Sequence, residues 1–272
     1  IKASPTGGSA WRTVLIGSQR AGGRGIFALD ITNPANFSES NAADMLLWEF
    51  TESDLGYTFS EPTVALMNNG KWAVILGNGY NDSGAGQAKL FIVYLEEGID
   101  GTWSTGEYLK ISTGSGSSYN KNGLSTPAVV DLDGDGTADR VYAGDLFGDM
   151  WAFDISDNSD SNWEVAYKQG STPKPLFSAG TTQPITHEPI IVSHPSQTSN
   201  SNNAPNLMVY FGTGQYLVDA DKFSATQQTQ YGIWDDGTKE LTSSNLVQQT
   251  VTTSQSGLIR TLSNNGVSYS AS

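Results

Sequence analysis

One pattern recurs four times along this chain, and a repeat on that scale restricts the architecture before any single residue is interpreted. Each copy opens on a residue followed by proline, namely Ser4-Pro5, Glu61-Pro62, Thr126-Pro127 and Glu188-Pro189, at intervals of roughly sixty residues. Self-similarity of this kind marks propellers, solenoids and arrays, the common propeller repeats running to ~40–50 residues. No single unit of such a fold can bury its apolar surface alone, so the stacking of neighbours supplies the core.

Further landmarks follow in a set order within each copy. A second strand ends in glycine: Thr13-Val14-Leu15-Ile16-Gly17, Ala73-Val74-Ile75-Leu76-Gly77, Arg140-Val141-Tyr142-Ala143-Gly144 and Leu207-Met208-Val209-Tyr210-Phe211-Gly212. Near-continuous apolar runs like these belong to strands buried on both faces. A third strand follows a polar connection, as Gly25 to Ile31, Lys89 to Leu95, Asp149 to Ile155 and Gln230 to Asp235. An outer strand then reads as Leu47 to Phe50, Glu107 to Ile111 and Trp163 to Tyr167, with no clear counterpart in the fourth copy.

Four antiparallel strands per copy make the blade of a β-propeller. The expectation is an all-β chain, one propeller domain over 1–272, with quinoprotein-like four-stranded blades near 1–55, 56–115, 116–180 and 181–240. Residues 241–272 carry weakly alternating runs around Leu246-Val247, Leu258-Ile259 and Val267-Ser268-Tyr269, and read as the start of a further blade. Stopping there would leave unpaired strand edges, a liability that ring closure removes, so the native chain is expected to continue or to pair with another. Individuality sits in the connections. The most polar of these is the Ser- and Asn-rich insertion from Ser196 to Asn206.

Composition narrows the class of partner. Thirty Gly and eleven Tyr fit a β-rich chain with many turns, and 37% hydrophobic content with seven Trp is enough for a substantial core. A net charge of −14 argues against nucleic acid or an anionic membrane surface as the main partner, because both demand a basic face. The absence of Cys excludes a disulfide framework. There is no signal peptide and no apolar run long enough to insert in a bilayer, and the chain begins at Ile1, so a mature fragment of a larger exported protein is expected.

In one stretch spacing itself dictates chemistry. Asp131, Asp133, Asp135 and Asp139 occupy positions 1, 3, 5 and 9 of a loop whose position 6 is Gly136, the sharp-turn position of an EF-hand-type loop. Two carboxylates 4 Å apart repel by ~4 kcal/mol near a protein surface, and a bound cation reverses that sign. Oxygen-only ligands in a flexible loop favour Ca²⁺ over Zn²⁺ or Mg²⁺. The expected ligands are the side chains of Asp131, Asp133, Asp135 and Asp139 and the carbonyl of Thr137. Position 12 is Tyr142, which lacks the usual carboxylate, and the flanks Pro127 to Val130 and Arg140 to Ala143 are strand-like, so the loop should join two strands rather than two helices. Asp and Gly are also common turn residues, yet an ordinary turn needs one or two of them, not Asp at every second position. Such loops suit ~10⁻⁴–10⁻³ M extracellular calcium, in keeping with export.

Other motifs carry less. Gly22-Gly23-Arg24-Gly25 and Gly77-Asn78-Gly79 lead into no helix N-terminus, so they read as hairpin turns rather than phosphate cradles. His187 and His194 flank a predicted strand without a partner at metal-ligand spacing, and no Ser/His/Asp or Cys/His set can be assembled.

Taken in order, Trp11 to Leu15, Gly22 to Thr32, Gly77 to Tyr80, Asn122 to Pro127, Asp131 to Leu146, Phe211 to Leu217 and Tyr231 to Asp235 resemble the C-terminal propeller of the PilC/PilY family of type IV pilus tip adhesins, over nearly the whole chain. The resemblance implies a non-catalytic, exported protein of the pilus tip and cell surface, associated with the outer membrane. Such a protein acts in pilus biogenesis, in extension against retraction and hence twitching motility, and in attachment to host or abiotic surfaces. Pilins and minor pilins would be its partners. It also implies that calcium occupancy of Asp131, Asp133, Asp135, Thr137 and Asp139 is tied to extension, and that about four blades of a ring of about seven lie here. Residues 1–272 do not cover the region that family members carry before the propeller, and no Arg-Gly-Asp tripeptide occurs among them. Two alternatives stand beside this reading. One is a quinoprotein-like dehydrogenase, prompted by Phe27 followed by Trp48 and Phe153 followed by Trp163. The other is a purely structural calcium site with adhesion through other loops.

Overall fold

Successive residues of a strand point to opposite faces, so a strand that is apolar at every position must be covered from both sides. In the computed structural model, which describes residues 11–198, 204–238, 240–254, 257 and 259–267, that cover comes from sheets stacked face to face. The first comprises β1 (Val14–Ser18), β2 (Ile26–Asp30) and β3 (Leu46–Phe50), the Ser4-Pro5 step lying outside the described residues. The second is a complete four-stranded blade of β4 (Thr63–Leu66), β5 (Trp72–Gly77), β6 (Gln87–Tyr94) and β7 (Tyr108–Gly116), each strand antiparallel to the next.

The third blade begins with β8 (Ala128–Val130), β9 (Arg140–Gly144) and β10 (Asp149–Asp154). Its outer edge is divided. The short β11 (Glu164–Val165) pairs with one end of β10, a hairpin of β12 (Lys168–Gln169) and β13 (Thr172–Pro173) swings out, and β14 (Phe177–Ser178) pairs with the other end. The outer strand expected over Trp163 to Tyr167 is therefore reduced to two paired residues. Its aromatic ends turn inward instead, leaving Trp163 6% and Tyr167 9% exposed.

The fourth sheet has β15 (Ile190–Ser193), β16 (Leu207–Gly212) and β17 (Gln230–Asp235). The chain then turns back: β18 (Leu241–Thr242) lies parallel to β14 and so extends the third blade. A separate exposed hairpin of β19 (Val251–Thr253) and β20 (Arg260–Leu262) follows. Residues 199–203 of the polar insertion, and Leu258, Ser268 and Tyr269 of the tail, lie outside the described residues.

Three apolar layers fill the gaps between sheets. Val74, Leu76, Phe91 and Val93 face the first sheet and meet Ile26, Ala28, Trp48 and Phe50. Their neighbours Ala73, Ile75, Leu90 and Ile92 face the opposite way, onto Val141, Ala143, Trp151 and Phe153. Tyr142, Met150 and Ala152 alternate with those and pack on Leu207, Val209, Phe211 and Ile233. Each fully buried side chain of this size contributes ~1.5–3 kcal/mol, and the layers set how far apart the blade edges and their turns can lie.

Candidate metal centre

Asp131 follows the last residue of β8 and Asp139 precedes the first of β9, so the acidic turn is the first-to-second strand connection of the third blade. The Asp139 amide donates to the Val130 carbonyl at 2.9 Å and closes the base of the turn. Above it the backbone coils around its own carboxylates. Asp131 Oδ1 and Oδ2 accept from the amides of Gly134 (2.7 Å) and Gly136 (2.8 Å), and both glycines take positive φ, 82° and 93°. Side chains rarely adopt that conformation, which is why glycine stands there. Asp133 Oδ1 accepts from the amide of Asp135 at 3.1 Å, and Asp139 Oδ2 from that of Leu132 at 2.7 Å. Leu132, between two exposed aspartates, packs toward the layer between the third and fourth blades and anchors the coil.

The result is a triad. Asp131, Asp133 and Asp139 each present one oxygen within 4.8 Å of the others, the only such group of His, Cys, Asp and Glu among the described residues. Oxygens that share one Ca²⁺ each sit ~2.3–2.6 Å from it, so they lie at most ~5 Å apart, and the triad meets that condition. The donors are all hard, acceptor-only oxygens, and the residues fit a calcium ion. Asp135 stands outside that group. Asp135 is fully exposed and accepts from the Thr137 amide (2.7 Å) and hydroxyl (2.6 Å), and those bonds, the hydroxyl's first, hold its carboxyl below the usual range.

Electrostatics within the triad are uneven. Burial raises the Asp139 carboxyl, and the charges of Asp133 and Asp131 push it further, against the hydrogen bonds of Leu132 and Asn68. Three carboxylates held together without a cation are frustrated, each close pair near the surface repelling by ~4 kcal/mol at 4 Å. A divalent cation removes that penalty.

Asn68 carries no signal in the sequence beyond the turn-forming run Asn68-Asn69-Gly70, yet it reaches the site from the second blade. Its amide nitrogen lies 2.9 Å from the Ala138 carbonyl and 3.1 Å from Asp139 Oδ1, and its oxygen lies 3.1 Å from the Thr137 hydroxyl oxygen. Immediately beyond the turn, Arg140 enters a buried network with Asp235, Tyr142 and Tyr167 that links the third and fourth blades. Pairings at such sequence separation leave no local pattern to read.

The remaining candidates resolve into structure. Trp48 Nε1 donates to the Leu95 carbonyl of the second blade at 3.0 Å, Trp163 Nε1 donates to the Asp157 carbonyl at 2.7 Å, and both indoles pack between blades. His194 is 5% exposed, its ring 4.3 Å from that of Trp234, while His187 is exposed. Asn78, in the run Gly77-Asn78-Gly79, accepts from Lys89 and Leu124 amides and donates to Asp54 and Gln87 carbonyls, a joint between connections rather than an anion cradle. No described helix is long and apolar enough to cross a membrane.

Stacked antiparallel blades with an oxygen-only acidic turn on one of them define an all-β propeller domain bearing a candidate cation site. The chain belongs to the PilY1 β-propeller domain family, whose family model matches residues 2–264. It is 41% identical, over 90% of its length, to the type IV pilus biogenesis factor PilY1 of Pseudomonas aeruginosa strain PAO1, and 40% identical, over 84%, to a PilY1 homolog of Xylella fastidiosa strain Temecula1. It spans only 22% and 15% of those proteins. The crystal structure of the Pseudomonas aeruginosa PilY1 C-terminal domain superposes with a TM-score of 0.75 at 38% identity, covering 96% of this chain and 57% of that one.

Proposed function

We propose that this chain is the calcium-binding propeller of a type IV pilus tip-associated protein, acting without catalysis in pilus biogenesis and surface attachment. What carries the reading is the convergence of Asp131, Asp133 and Asp139 in a chain 41% identical to a type IV pilus biogenesis factor. Asp135 and the Thr137 carbonyl complete the ligand set by their loop spacing, and the Ca²⁺ they hold supplies a fixed positive charge at the blade edge. Pilins and minor pilins are the proposed partners, and the pilus tip and outer-membrane surface the proposed location. Calcium then biases extension over retraction, and with it twitching motility, by holding one blade edge in a single shape. The blade division near 55, 115, 180 and 240, with 241–272 starting a further blade, belongs to the same proposal.

Calorimetric titration with CaCl₂ tests the site. The wild-type chain should bind one Ca²⁺ with a Kd of ~10⁻⁴ M or tighter, and Asp133→Ala should weaken binding by at least tenfold. Unchanged binding in that variant sinks the assignment. Cells expressing the full-length Asp133→Ala protein should lose surface pili.

A second reading, in which calcium only staples the fold and attachment lies on other loops, draws support from Asp139, which is 6% exposed and whose carboxylate is bonded into the second blade. A folded, calcium-free variant that still assembles pili and attaches would favour it.

A further inference from the structure

The acidic turn is built from two unlike halves. Asp131, Asp133, Gly134, Asp135 and Gly136 are exposed, whereas Ala138 and Asp139 are 4% and 6% exposed. That second half is wired to the neighbouring blade. The Ala138 amide donates to the Leu66 carbonyl at 2.9 Å, and Ala138 forms a parallel bridge with Met67 at the end of β4. Asn68 is the next residue. Its amide nitrogen has three acceptors within reach, the carbonyl of Ala138 at 2.9 Å, Oδ1 of Asp139 at 3.1 Å and the carbonyl of Ile155 at 3.3 Å, so the nitrogen must face the turn. Its oxygen, on the other side, lies against the Thr137 hydroxyl at 3.1 Å.

One neutral side chain of the second blade therefore touches three consecutive residues of the turn, Thr137, Ala138 and Asp139, together with the chain just past β10. Among them is the one buried carboxylate of the triad. Asp139 has Oδ2 on Leu132 of its own turn and Oδ1 on Asn68 of the other blade, so its position is set jointly by both blades.

We propose that Asn68 is a positioning residue that couples calcium occupancy to the seam between the second and third blades. It presents Asp139 to the ion, and an occupied site in turn fixes the Met67 to Gly70 turn. This rests on the calcium reading above. Asn68 is not itself a ligand, because the end of its amide turned toward Asp139 is the nitrogen, which carries only donors. Residues that orient metal-ligating carboxylates commonly change metal affinity by ~10–100-fold when removed.

The same turn supplies an internal control. Asn69 faces away from the acidic turn, its nitrogen 2.7 Å from the Tyr94 hydroxyl and its oxygen accepting from the Lys71 amide at 3.1 Å. Asn69→Ala perturbs the same turn without touching the triad.

The experiment is calorimetric titration of the full chain and its variants with CaCl₂, paired with amide hydrogen exchange of the wild type in calcium and in chelator. Asn68→Ala should bind Ca²⁺ about tenfold more weakly or worse, and Asn68→Asp, which turns a carboxylate on three acceptors, should be weaker still. Asn69→Ala should keep wild-type affinity. Calcium should slow exchange at Met67 to Gly70 in the wild type, a readout that needs no variant to fold. Wild-type affinity in Asn68→Ala, equal losses in the Asn68 and Asn69 variants, or exchange at Met67 to Gly70 indifferent to calcium overturns the proposal while leaving the calcium site standing. Absence of Ca²⁺ binding by the wild type overturns both.

Discussion

Arg140 and Asp235 meet in the interior between the third and fourth blades, Nη2 to Oδ2 at 2.8 Å, with Asp235 fully buried. Asp235 also accepts from the phenols of Tyr142 (2.6 Å) and Tyr167. Burial and the Asp235 charge push both phenols well above their ordinary range, so they remain donors at any physiological pH. Removing one partner strands a buried charge, so Asp235→Ala should cost ~3–5 kcal/mol in urea unfolding, against ~1 kcal/mol for Tyr167→Phe. Asp145 is a second buried carboxylate, and its consequence is pH dependence. It accepts from Asn122, Trp151, Phe147 and Asp149, yet burial and then the Asp149 carboxylate push it up to about 7. A carboxyl raised in the folded state adds stability that is complete below its unfolded value of ~3.9 and is lost as pH rises through the folded value. Stability should therefore fall between about pH 4 and about pH 7 through this group and level off above it. Asp145→Asn should be less stable overall but flatter across that window, and an undiminished slope would clear Asp145 of the effect.

At the end of each second strand the repeat places glycine. A Cβ on Gly77 would lie 2.1 Å from the Ser125 carbonyl oxygen, and one on Gly144 2.1 Å from Cγ2 of Ile185. The connection entering the next blade crosses the strand there, as the Gly79 amide to Leu124 carbonyl and Ser125 amide to Gly144 carbonyl bonds record. Among the described residues Gly212 has no such crossing, its nearest atom being 3.9 Å away. Gly77→Ala should accordingly destabilise by ~1–3 kcal/mol and Gly212→Ala by no more than ~0.5 kcal/mol, by chemical denaturation. The glycines and strands were legible because each is a local pattern repeated: Arg140 to Gly144 and Leu207 to Gly212 coincide with β9 and β16. The divided outer edge of the third blade was not. Trp163 and Tyr167 read as strand residues, but Tyr167 is drawn inward by Arg140 and Asp235, a partner 68 positions away, and the backbone leaves the edge of β10 to deliver it.

At the scale of the whole molecule, stability is a sum over seams, because each blade buries its faces only against neighbours. The acidic turn stands at one of those seams, so calcium should act on the chain as a unit. Saturating Ca²⁺ at a hundredfold excess over Kd adds ~2.7 kcal/mol. That should appear as a midpoint several degrees higher than in chelator, and the gain should vanish in Asp133→Ala. A gain that persisted in the variant would mean the ion binds elsewhere. The net charge of −14 works in the same direction, since a divalent cation relieves repulsion that the folded chain concentrates.

What the sequence determined by itself is everything governed by neighbours along the chain. That covers the four-fold succession of strands, the two-sided burial of the second and third strands, and an acidic turn whose backbone wraps its own carboxylates. What only the tertiary structure decided is which carboxylates converge and what holds them. Asp131, Asp133 and Asp139 come together while Asp135 remains with Thr137, Asn68 arrives from another blade, and β18 returns to the third blade instead of extending the fourth. The reason is physical: a hydrogen bond within a turn is set by a few dihedral angles. A contact between Asn68 and Asp139 depends instead on how two blades settle against a shared apolar layer.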